Sequence, residues 1–464
     1  MKISRKLIKM LIRFTIENIY SFGERKEFNM IPYTRLGTLN FHRYNLLDFE
    51  VLKMASIYGA NGAGKSNLIK ALYYLQKIII KEEIPVGLEK SQFKFLPEDS
   101  SKNQLFAVEF IQDNTAFYYG IELFDGLVIT EELYKSGLGK KKDELLFERK
   151  TDKGNKKTEI KFLEEFEKDA KSQILKEILI QEFIKPNKSA LKILSNRDNK
   201  FIQEIKKAYN WFDSTLQIIT PDSKPRALAH RIDIDSDFKR YAEDLMCSFN
   251  IGISSLSSEK KELKDFFGED NEYELNTLIK KLEDSPEKML ALRSRKGDEL
   301  TIVKEEDKIW VKRLKVGHLG KNNRSVLFNL EEESDGTIRL LNFVPAFQNM
   351  IFSPKVFVID EIERSIHPLL IKELVKKFSL DDKTSGQLIF TTHESNLLDQ
   401  KIFRQDEIWF AEKDKNGSTD LYSLSEFKEH KTIDIRKGYL NGRYGSIPFL
   451  ADLTDLNWHE YATH

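Results

Sequence analysis

The chain has 464 residues, more than one compact hydrophobic core ordinarily spans, so two structural regions are expected. Lysine plus arginine and aspartate plus glutamate both number 74, so no net basic field points to nucleic acid as a standing partner, and DNA would need a local basic patch. Cys247 is the sole cysteine, which excludes intrachain disulfides and cysteine-cluster zinc sites and fits a reducing cytoplasm; no apolar stretch approaches the roughly 20 residues of a membrane span.

Residues 1–9 carry basic side chains without a long apolar core or a small-residue cleavage site, and read as a short amphipathic extension or an over-long start. Leu11 to Asn18 reads as the first strand. The apolar run Val51 to Tyr58 reads as another, and Asn67 to Leu75 has helical spacing. Between them GANGAGKSN completes the pattern G-x-x-x-x-G-K-[S/T] with Gly59, Gly64, Lys65 and Ser66. Glycines let a backbone curl around a phosphate, with its N–H groups aimed inward at the positive end of the following helix. Gly59, Asn61, Gly62, Gly64, Lys65, Ser66 and Asn67 are therefore the expected cradle for ATP. Lys65 is expected at the β- and γ-phosphates, and the Ser66 hydroxyl on the Mg²⁺ that bridges them.

Leu105 to Ile111, Ala116 to Leu123 and Leu127 to Tyr134 read as strands of an antiparallel sheet continuing this first lobe, residues 10–158. The pattern then turns helical, with amphipathic stretches at Phe162 to Ile184, Phe201 to Leu216, Asp237 to Ile251 and Tyr273 to Leu282. None sustains heptads, so residues 159–298 are expected to form a compact helical insert and not a coiled-coil arm. Within it Asp233, Asp235 and Asp237 superficially match a nuclease carboxylate set, but capping aspartates at a solvated helix start account for them better.

Strands resume at Glu299 to Ile302, opening a third region, residues 299–464, and recur at Lys308 to Leu314 and Val326 to Leu330. ESDGT (Glu333 to Thr337) then opens a helix, and its Ser-x-Gly at the amino terminus suits an anion. KVFVIDE (Lys355 to Glu361) is a buried-type strand ending in two carboxylates, a Walker B pattern. Asp360 is expected to hold Mg²⁺, and Glu361 to orient or deprotonate the attacking water. ERSIHP comes next, in which His367 is either interfacial or a cap for the helix Leu369 to Phe378. QLIFTT is another buried strand and delivers His393 at its end. A hairpin around Asn416-Gly417 and the tail RKGYLNGRYGSIP, rich in Gly, Tyr and Arg, close the chain.

In that order, IRFTIENIYSF, GANGAGKSN, EESDGTIRLL, VFVIDEIERSIHPLL, QLIFTTHESNLLD, RQDEIWFAEKD and YLNGRYGSIP resemble the ABC-type ATPases of the AAA-domain group of bacterial restriction and phage-defence loci: RloA-like proteins and relatives of the OLD ATPases. The resemblance implies an α/β P-loop fold of ABC type, a mixed sheet core with antiparallel strands in its first lobe, interrupted by the insert. It implies that His393 is the switch histidine for the γ-phosphate and attacking water. It further implies a homodimer or higher oligomer in which Ser334 and Gly336 of one subunit close over the ATP held by Lys65 of another. A separately encoded, nuclease-like effector acting against phage is the implied partner. OLD relatives carry a Toprim nuclease, and the roughly 70 residues after His393 are too few for one. Asp335 stands where many ABC proteins have glycine, setting a negative charge near the γ-phosphate and implying slow turnover. Gln92, Gln104 and Gln112 all lie where the Q-loop glutamine would fall. The competing reading is a DNA-engaged ATPase of the SMC or recombination-mediator type, which would need a basic stripe on the insert; Lys206-Lys207 and Lys260-Lys261 do not make one.

Overall fold

The computed structural model describes residues 7–46, 49–98, 100–268, 272–285, 288–293, 299–427, 429–430 and 433–447; the chain start through residue 6 and the tail from Pro448 lie outside the described residues. The chain divides into two compact units: Met1–Thr220 with Met350–Ile362 and Leu374–His464, and Pro221–Asn349 with Glu363–Glu373.

The first unit has the P-loop fold expected, built on a six-stranded sheet. Its spatial order is Leu216–Ile219, Val356–Ile359, Gln387–Thr391, Met54–Tyr58, Ile408–Lys413 and Thr419–Ser423, the first five parallel and the last antiparallel. The three strands MASIY, VFVI and QLIFT are buried at every residue, as parallel strands covered on both faces must be. Helix Lys65–Lys81 buries Leu68, Ile69, Leu72, Leu75 and Ile79, the one-faced spacing of a helix lying on a sheet.

Packed into the same core is a seven-stranded antiparallel sheet, which runs Thr158–Phe162, Glu144–Thr151, Leu127–Lys135, Thr115–Phe124, Gln104–Gln112, Met10–Glu17 and Lys26–Asn29. The first strand stops at Glu17, one residue short of the expected end, because Asn18 turns to positive φ.

Val51 to Tyr58, expected as one strand, is two. Phe49–Leu52 pairs with Arg43–Leu46, and Met54–Tyr58 enters the six-stranded sheet. Lys53 makes the break. It is buried, and its ammonium donates to the carbonyls of Phe378 (2.7 Å), Ser379 (3.2 Å) and Asp381 (2.5 Å). These lie at the end of helix Pro368–Leu380, where the last carbonyls have no partner within the helix, and the Ser379 carbonyl also meets His42 Nε2 at 3.0 Å.

Residues 159–298 do not form a helical body of their own. Helices do occupy much of the stretch, among them Ala170–Ile178, Gln203–Asn210, Ser236–Ser248 and Glu272–Asp284. The molecule, however, divides at Thr220. Phe162, Phe166, Ile205, Trp211 and Phe212 are buried in the core of the first unit, and Leu216–Ile219 runs parallel to Val356–Ile359. Beyond Thr220 the second unit is mixed. Ile253–Glu262, Lys308–Leu319, Glu299–Glu305 and Met289–Arg293 form an antiparallel sheet, and Ser325–Asn329 adds to Lys308–Leu319. Among the described residues no helix is long and apolar enough to cross a membrane.

Candidate functional site

The loop between Tyr58 and helix Lys65–Lys81 is shaped by close approaches that exclude side chains. Gly64 has φ +109, and a Cβ there would stand 2.1 Å from Thr419 Oγ1 and 2.8 Å from Ser21 Oγ. A Cβ on Gly59 would stand 2.4 Å from the Ala411 carbonyl oxygen. Ser21, within IRFTIENIYSF, and Thr419 are assigned no role from the sequence, yet both brace the loop. The Thr419 hydroxyl is 2.8 Å from both the Ala63 carbonyl and Ser21 Oγ, and the Asn67 amide donates to Ser21 Oγ at 2.9 Å. Asn67 thus engages this bracing contact, whereas Asn61 and Gly62 are exposed on the loop. Lys65 is buried, and its Nζ donates to the carbonyls of Gly59 (2.7 Å) and Ala60 (3.1 Å).

Because Gln387–Thr391 lies between Val356–Ile359 and Met54–Tyr58, its end meets the ends of both neighbours. Thr391 Oγ1 donates to Asp360 Oδ1 at 2.6 Å, and Ser66 Oγ donates to the same oxygen at 3.0 Å. The Glu361 N–H donates to Thr391 Oγ1 at 2.8 Å, and the Ile362 N–H to the Thr391 carbonyl at 3.2 Å. Glu361 adopts φ 49°, a left-handed conformation that costs a non-glycine residue on the order of 1–3 kcal/mol and persists only where surrounding bonds impose it. Thr391, which sequence reasoning missed, supplies two of those bonds. Two residues on, His393 Nδ1 lies 3.5 Å from Lys65 Nζ. Burial, and then the Lys65 charge, push the His393 imidazole below its ordinary value; Asp360 opposes them.

The first unit therefore brings together the loop residues 59–67, Asp360, Glu361 and His393. Ser334 and Gly336 belong to the second unit. There Ser334 Oγ accepts from the Thr337 N–H at 3.2 Å and caps helix Asp335–Phe352. A Cβ on Gly336 would meet the Ser365 carbonyl oxygen at 2.6 Å, so the ERSIHP segment lies directly against the turn. His367 Nδ1 accepts from the Leu369 N–H at 3.3 Å, the capping geometry that was one of its two expected readings.

The three aspartates of DIDSD diverge. Asp233 pairs with Lys312 at 2.6 Å, Asp235 caps helix Ser236–Ser248, and Asp237 faces Arg240 at 3.9 Å. Of the candidate glutamines, Gln104 donates to Leu88 and Ser91, Gln112 accepts from Thr215, and half-buried Gln92 donates to the Lys102 carbonyl.

Among known proteins, the family described as "AAA domain, putative AbiEii toxin, Type IV TA system" matches residues 54–399, a span from the strand before the loop to beyond His393. A DNA replication and repair protein RecF from Carboxydothermus hydrogenoformans is 58% identical over 43 residues, 9% of this chain and 12% of that relative. Among solved structures, an SMC head bound to the C-terminal winged-helix domain of ScpA has a TM-score of 0.43 at 13% identity, covering 90% of this chain and 99% of that one. The SMC head domain from Thermotoga maritima scores 0.38 at 11% identity, covering 89% and 98%. Likeness at that level supports no functional inference.

Proposed function

The chain belongs to the AAA-domain family just described, and on that premise we propose that it is an ATP-binding and ATP-hydrolysing switch working as an ATP-sandwich dimer. One observation supports this most: Asp360 accepts from both Ser66 and Thr391 hydroxyls beside the loop that carries Lys65. A serine hydroxyl next to an aspartate is a hard-oxygen donor pair of the kind Mg²⁺ takes when phosphates supply further ligands. Ser66 and Asp360 would hold the ion, which when bound neutralises charge on the phosphates.

The chain's own groups divide the remaining work. The loop amides and Lys65 bind phosphate, and the contacts Lys65 now makes to Gly59 and Ala60 are to neutral carbonyls that a phosphate would outcompete. Glu361, fixed by Thr391 at the end of its strand, orients the water and accepts its proton. His393, held neutral, can offer one ring nitrogen as donor and one as acceptor. Ser334 and Gly336 of a second copy would complete the pocket through the amino terminus of helix Asp335–Phe352. Closure on ATP and opening on hydrolysis would be transmitted to a separately encoded effector, nuclease-like in the antiphage reading. Asp335 would set a negative charge near the γ-phosphate, so turnover slower than about one per second is expected, and Asp335→Gly should raise it.

Binding measurements test the site. Lys65→Ala should abolish ATP binding, whereas Glu361→Gln should keep binding and stop hydrolysis; equal affinity in wild type and Lys65→Ala would refute the assignment. The short RecF match supports a second reading, a DNA-engaged repair ATPase. Turnover stimulated several-fold by duplex DNA would favour it over effector control.

A further inference from the structure

We propose that His318 is a positioning residue for the Ser334–Gly336 turn and acts through Glu333; this rests on the reading of that turn as the element that closes over a second subunit's ATP. His318 Nε2 lies 2.6 Å from Glu333 Oε1, and the carboxylate side chain is only 7% exposed. A carboxylate so buried is costly unless hydrogen-bonded, and the imidazole meets that need. The imidazole is itself held. His318 pairs with Ile253 on one side and Val326 on the other, and its ring stands edge-on to Phe328 at 4.9 Å.

Backbone geometry carries this anchor to the Ser334–Gly336 turn. Glu333 is extended, at φ −84° and ψ 160°, and its N–H donates to the Leu330 carbonyl at 3.2 Å. Consecutive side chains on extended backbone point to opposite sides, so holding Glu333 inward turns Ser334 outward, where it is exposed. The same Ser334 oxygen caps the helix through Thr337, and Gly336 is pinned against Ser365. With Glu333 released, the turn keeps its cap but loses the constraint that orients it. The expected consequence is specific: subunit association weakens while the phosphate-cradling loop 59–67, which lies in the other unit, binds ATP as before.

The experiment places His318→Ala and His318→Gln in the Glu361→Gln background. It measures affinity for a fluorescent ATP analogue at dilute protein, and self-association with Mg-ATP by light scattering across a protein dilution series. For His318→Ala, nucleotide affinity should stay within twofold and the concentration for half-association rise at least tenfold. His318→Gln, which keeps a donor, should recover most of that loss and gives the measurement if the alanine variant folds poorly. Adding Glu333→Gln to His318→Ala should cost little more, as expected of residues acting as one unit. A parent that associates with His318→Ala unchanged overturns this assignment alone. A parent that binds ATP and does not associate overturns the dimer reading and this assignment with it.

Discussion

Thr391 Oγ1 donates to Asp360 Oδ1 at 2.6 Å while accepting from the Glu361 N–H at 2.8 Å, so one hydroxyl fixes both carboxylate-bearing residues at the end of the Walker B strand. Thr391 can do this because its strand lies between those that end in Tyr58 and Ile359.

Replacing Thr391 with valine keeps the volume and removes the hydroxyl. Asp360 loses one donor, and the left-handed conformation of Glu361 loses its anchor. We expect a loss of about 1–3 kcal/mol in stability. ATP affinity should fall by less than tenfold, and turnover by a hundredfold or more. Steady-state hydrolysis beside equilibrium titration checks this, and unchanged turnover would contradict it.

Gly64→Ala should fail for two separate reasons. The residue would need φ +109, and its methyl would overlap Thr419 Oγ1 and Ser21 Oγ. Trimming Thr419 to alanine relieves the closest overlap and leaves both Ser21 Oγ and the backbone conformation unchanged. The double variant is therefore expected to stay at least tenfold weaker than wild type in ATP titrations, and full rescue would show that the backbone conformation does not matter.

His393 sets a pH dependence whose sign is fixed. Its folded value lies below the unfolded one, about 6.5. Between the two the unfolded chain binds more protons, so the stability His393 contributes is present above about pH 6.5 and is lost as pH falls through the folded value. Urea midpoints of wild type and His393→Gln should differ by a constant amount from pH 8 to 7. Below about pH 6.5 wild type should lose ground to the variant. A difference constant down to pH 5 would contradict the shift.

What could be read from the chain was what lies contiguous in it. GANGAGKSN, VFVIDE and QLIFTTH each carry their chemistry within about ten residues, so strand, turn and functional side chain are legible together. Ser21 and Thr419 brace Gly64 across nearly 400 residues, and only the order of strands brings them there. Lys53 was hidden for the opposite reason, since one lysine in an apolar run leaves no trace of the carbonyls that bury it. The strand Ile253–Glu262 has apolar residues at Ile253 and Leu256, a helical spacing, and no alternation; it became a strand by pairing with Lys308–Leu319. Leu216, expected to end a helix, instead opens the strand Leu216–Ile219, whose partner, Val356–Ile359, is about 140 residues away. Glu333 carries no role in the sequence beyond opening ESDGT, and His318 gives it one only once both are placed.

The central claim, an ATP-driven closure of two copies, is tested most directly by the solution mass of Glu361→Gln with and without Mg-ATP, by light scattering. The mass should double, or rise to a larger multiple, on adding Mg-ATP, and should not change when Lys65→Ala is introduced as well. An unchanged mass in Glu361→Gln protein shown to bind ATP would contradict the claim.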